Sequence, residues 1–185
     1  MNKKEELPII TVIKINQWKN WLKKNHLKES KVGVIRYKNH TSTPSPSTQE
    51  LMHEAICWGW IDTTAHGIDG DRYMIKYSKR NEKTSKWSKN TLRYAKFLIK
   101  QGRMSSHGLT MYKIGIRKKP HDYGIPDNPK IPNELKKSLN KNKKAKVKFN
   151  LLPPSLKKML YRSILKAKTP ETKTKRIKEI IARAE

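Results

Sequence analysis

The chain is short of cysteine, of acidic residues and of long apolar runs. A single cysteine, Cys57, rules out an internal disulfide and fits a reducing compartment. No stretch reaches the roughly 18 apolar residues of a membrane-spanning helix. No such run follows the start Met-Asn-Lys-Lys-Glu-Glu-Leu-Pro, so it does not read as a signal peptide. The expected compartment is the cytoplasm. Glycine-rich phosphate loops of Walker or dinucleotide type are missing. Asp69 and Asp71 flank Gly70, which a turn explains; calcium needs more carboxylates at loop spacing. No catalytic set is visible, the expectation is a non-enzymatic protein, and no cofactor is implied.

Positive charge is plentiful. Lys+Arg number 43 against 15 Asp+Glu, a net charge of +28. Such a chain repels itself unless an anionic partner or counter-ions neutralise it. Nucleic acid, an anionic membrane surface or an acidic protein are the candidate partners. Lysine far outnumbers arginine, whereas base readout and bidentate phosphate clamps favour arginine; a general compositional bias explains the charge equally well. The charge does not separate the two halves: residues 116–185 carry 21 basic and 6 acidic side chains, residues 1–115 carry 22 and 9.

Five tryptophans and seven tyrosines provide anchors for a core. Asn16 reads as the N-cap of a short helix with Trp18, Trp21 and Leu22 on one face. Residues 31–38 read as a β-branched strand. Ser47 and Glu50 form a capping box ahead of Leu51, Met52, Ala55 and Ile56, and that helix should end near Trp58-Gly59. Residues 60–66 and 72–78 read as two strands joined by an Asp-Gly turn. Ser88 caps a helix that Gly102 closes, and Ser105-Ser106 starts another. Residues 116–131, with three prolines and one glycine, form a linker or covering arm. Beyond Pro132 the pattern is helical, with Pro153-Pro154 and Thr169-Pro170 opening the last two helices. The expected fold is α+β: a small antiparallel sheet with packed helices over residues 1–115, the linker over 116–131, and an all-helical domain over 132–185.

Four motifs stand in order. Cys57-Trp58-Gly59-Trp60-Ile61-Asp62 resembles the Cys-aromatic-Gly-Trp-Ile-Asp signature of the bacteriocin-protection (YdeI/OmpD-associated) family. Ser85-Lys-Trp-Ser-Lys-Asn90 and Gly102-Arg-Met-Ser-Ser-His-Gly108 resemble its Ser-x-Trp-Ser-x-x-Asn and Gly-x-Met-Thr-x-x-Gly regions. Ala167-Lys168, Glu171-Thr172 and Arg176-Ile177 resemble the end of its C-terminal helical domain. The resemblance runs from about Trp18 to Arg183. Ser78-Lys79-Arg80 departs from the family's Thr-Pro-Arg, so only Arg80 carries over. The resemblance implies a role in tolerance to bacteriocins or antimicrobial stress, with an envelope connection, and specifies no reaction.

Trp60, Asp62, Arg80, Trp87, Ser88 and Asn90 are the candidates for a site binding a protein partner or small ligand, because aromatic walls with a few polar groups typify such sites. The competing reading makes the tryptophans core anchors and has Asp62 and Ser88 satisfying backbone donors. His53 and Cys57, four residues apart, fall short of the four ligands of a structural zinc site, and no metal is expected. Lys136, Lys137, Lys141, Lys143, Lys144, Lys146 and Lys148 form the candidate surface for nucleic acid or another polyanion, or else a solvated helical face.

Overall fold

The computed structural model describes residues 7–184. It divides into two compact units, the first ending at His121 and the second beginning at Asp122.

The first unit is built on a four-stranded sheet in the order β1-β2-β4-β3. The strands are β1 (Ile9–Thr11), β2 (Lys31–Tyr37), β3 (Trp60–Gly67) and β4 (Arg72–Lys79). The pairs β2–β4 and β4–β3 are antiparallel, and β1 adds a parallel edge to β2. That edge strand is not visible in sequence. It is three residues long and mostly exposed, too short to show a period. The Asp-Gly turn forms as expected: the Asp69 carboxylate accepts from the backbone of Asp71 and Arg72 and from the Arg72 side chain.

Helices α1 (Ile15–Asn25), α2 (Thr48–Cys57), α3 (Lys89–Lys100) and α4 (Ser106–Ile116) complete this unit. Helix α1 starts earlier than Asn16. Gln17 Oε1 accepts from the Ile13 and Lys14 amides, each at 2.9 Å, so the chain turns helical at Ile15. Helix α2 has the Ser47–Glu50 box in full and divides its apolar side chains between two cores. Leu51 and Ala55 join Trp18, Leu22, Val32, Val34, Trp60, Ile75 and Tyr77 against the sheet. Ile56 and Cys57 join Trp87, Ala95, Leu98 and Met111 against α3 and α4. Strand β2 explains the first core by alternation: Val32 and Val34 face α1 and α2.

The second unit contains α5 (Asn133–Lys141), α6 (Lys143–Leu151), α7 (Pro154–Leu165) and α8 (Pro170–Arg183). Its core joins Leu135, Leu139, Ala145, Phe149, Ile164, Ile177, Ile180 and Ala184. Thr169 caps α8 and Pro170 opens it, as the sequence predicts. Asp122, 2% exposed, pairs with Arg162 at 2.9 Å. The whole is α+β, a sheet with packed helices followed by helices.

Candidate functional site

Three of the four family-like motifs meet around the C-terminal end of α2; the fourth lies in the second unit. Gly59 has φ +72, a conformation that L side chains resist, and it turns the chain from α2 into β3. Ser105 closes the junction: its amide and its hydroxyl both donate to the Cys57 carbonyl, at 2.9 and 2.8 Å. The same hydroxyl accepts from the Gly108 amide and caps α4. A Cβ at Gly108 would lie 2.1 Å from the Cys57 carbonyl oxygen, so only glycine lets α4 approach this closely. On the other side, the Arg80 amide donates to the Gly59 carbonyl at 2.9 Å.

From that anchor the Arg80 side chain turns onto Trp87, with its guanidinium carbon 5.8 Å from the ring centroid. Its Nη2 donates to the Lys86 carbonyl. Its Nε is buried and has no hydrogen-bond partner among the described residues. Burial lowers the Arg80 pKa from its ordinary value, and the nearby Asp62 carboxylate opposes that shift. Asp62 is exposed on β3 opposite Tyr77. Tyr77, fully buried with its hydroxyl unpartnered, titrates well above the ordinary tyrosine range, chiefly through burial.

Thus Arg80 and Trp87 come together, Asp62 acts on Arg80 only through its charge and forms no ion pair with it, and the other three candidates go elsewhere. Trp60 is fully buried against the sheet, donates to the His26 carbonyl at 3.1 Å and meets Trp21 edge-on. Ser88 accepts from the Thr91 amide as the cap of α3. Asn90 is exposed and accepts from Arg93. Trp87 is itself 2% exposed, packed closely against Gly115 and edge-on to Tyr112, and Arg80 lies over its ring.

A histidine pair that no sequence pattern announces lies beside this junction. His26 and His107 lie 5.6 Å apart by ring centroid, and His26 packs on Trp58 at 4.6 Å. Burial lowers the His107 pKa, helped by His26 and Lys79. His53 is also held low, first by burial and then by Arg103. Burial, with Glu54 adding to it, pushes the Cys57 thiol up to about 12, so at neutral pH it is a protonated, poor metal ligand. Among the described residues no three His, Cys, Asp or Glu side chains are grouped to hold a metal ion. A cleft of about 680 Å³, lined by Pro8, Glu29, Lys31, Thr63, Lys76 and Ser78 among others, takes none of the six candidates. Lys136, Lys137 and Lys141 on α5, and Lys143, Lys144, Lys146 and Lys148 on α6, are all exposed.

Fold and site together define a chain of two compact units, in the first of which three of the four motifs tie elements together beside one arginine–tryptophan contact. Residues 10–111 match the family described as Domain of unknown function (DUF8412), and since the match covers more than half of the chain, the protein belongs to that family. Residues 128–185 match the family described as Bacteriocin-protection, YdeI or OmpD-Associated, the one the sequence motifs resemble. That match covers the C-terminal motif; the other three motifs lie in the DUF8412 region. No curated protein and no solved structure matches the chain. No described helix is long and apolar enough to cross a membrane.

Proposed function

We propose that the protein acts by binding rather than by catalysis, as a cytoplasmic component of tolerance to antimicrobial or envelope stress. Its first unit recognises an oxyanion-bearing ligand or partner at Arg80. The observation that carries this reading is the Arg80 guanidinium, held on Trp87 with its Nε lacking an acceptor. A buried N–H of a charged group without an acceptor is costly, and a carboxylate or similar oxyanion would satisfy it. The negative charge of Asp62, which acts on Arg80 from β3, would disfavour anions that do not reach the Nε, which gives selectivity.

The test is complementation of a deletion strain challenged with sublethal bacteriocin or cationic antimicrobial. Arg80→Gln protein, shown folded by circular dichroism, is expected to lose protection, and Arg80→Lys to restore little because it lacks the planar fork. Full protection by folded Arg80→Gln protein would overturn the proposal. Nucleic-acid binding through Lys136 to Lys148 has in its favour the exposure of all seven lysines.

A further inference from the structure

Helix α6 has its outward face built against the usual rule. Ala145 and Phe149 are its core residues. Val147 is two positions from each, about 200° around the helix, and so points directly away from the core. It is 63% exposed, and Leu151, one turn on, is 80% exposed. A helix of this kind normally carries polar residues there. Here two aliphatic tips stand between lysines, with Lys143 and Lys144 one turn before them and Lys146 at the side, all exposed. The face is fixed in direction, because Asn142 Oδ1 accepts from the Ala145 amide and sets the helix start. Residues 135–170 contain no Asp or Glu, so no carboxylate from this stretch offsets the charge.

We propose that this face of α6 docks on the surface of an anionic lipid bilayer. Three occupants suit a cationic surface, and the side chains decide among them. Nucleic acid gains from arginine forks and aromatic stacking; the exposed side chains of α6 are lysine, valine, asparagine and leucine. A protein partner is anchored by tryptophan, tyrosine or arginine, and this face offers none. A bilayer takes what is present: aliphatic tips enter the headgroup boundary, while lysine stems snorkel and bring ammonium groups to lipid phosphates. A helix of nine residues is far too short to span, so the mode is peripheral. This inference is independent of the Arg80 site.

The experiment is flotation of the full chain with vesicles of one part phosphatidylglycerol to two parts phosphatidylcholine, with pure phosphatidylcholine vesicles as control. Anisotropy with a labelled duplex and a labelled single strand is run at the same salt. The intact chain is expected to float with anionic vesicles only. Val147→Ser/Leu151→Ser lies at exposed positions and should fold normally; its vesicle partitioning should fall roughly tenfold with oligonucleotide binding unchanged. Lys143→Gln/Lys144→Gln should lose roughly fivefold per lysine at low salt. Equal flotation of the folded serine variant would overturn the proposal. So would oligonucleotide binding without any binding to anionic vesicles, which would assign the face to nucleic acid.

Discussion

At the residue scale, the most demanding side chain is Arg36. It is 5% exposed and makes no ion pair among the described residues. Hydroxyls hold it instead: Ser45 at 3.2 Å, Thr48 at 2.8 Å and Tyr73, whose ring it also overlies. Breaking such a set leaves buried polar groups unmatched. Arg36→Ala is expected to destabilise the first unit by about 2–4 kcal/mol. Arg36→Lys should recover little, because one ammonium cannot reach the same spread of acceptors. Urea denaturation followed by tryptophan fluorescence measures both. The residue was not legible as a special position: in sequence it is one arginine in a β-branched strand, and its acceptors lie 9 to 37 residues further on, just before α2, at its start and on β4.

At the element scale, the junction of α2 with α4 sets the strictest requirement. Gly108→Ala places a Cβ against backbone that cannot yield, and a loss of about 3 kcal/mol or more is expected. Gly70→Ala, where the added atom meets nothing within 4 Å, should change stability by less than about 0.5 kcal/mol. Thermal unfolding of the pair separates close approach from a general cost of losing glycine. What was legible here were the local rules. The Ser47–Glu50 box, the caps at Ser88, Ser105 and Thr169, and the left-handed Gly102 all depend on residues a few positions apart, and all are present. What was not legible were contacts between distant stretches. The Cys57 carbonyl meeting Ser105 and Gly108, and Trp87 meeting both Arg80 and Gly115, leave no periodic trace. The candidate site was readable in part for that reason. Trp87 and Arg80 do pair, but Trp60, at the start of β3, is fully buried and is used up by the core.

At the scale of the whole molecule, charge and histidine set the response to conditions. A net charge of +28 makes the folded chain repel itself, so added salt should raise the melting temperature until screening is complete. The pH response has a definite sign. His53 and His107 both have folded pKa values below their ordinary value, mainly through burial. Their stabilising contribution is therefore present above the unfolded value of about 6.5 and is lost as pH falls, because the unfolded chain takes up the protons first. Melting temperature should decline from about pH 7 towards pH 5. His107→Asn should flatten that decline relative to the native chain. A profile that keeps its full slope in both His53→Asn and His107→Asn would rule out this origin.

The shut-in Cys57 gives the chain a built-in clock. It is the one cysteine, 1% exposed, and its sulfur belongs to the core that joins α2 to α3 and α4. A thiol reagent can modify it only during the moments when that seam parts. At high reagent concentration the modification rate stops rising and equals the frequency of parting; at low concentration it reports how large a fraction of molecules is parted at any instant. Because no second thiol competes, the whole signal comes from one seam. The lifetime of the join at Gly59, Ser105 and Gly108 can thus be timed with no label added to the protein.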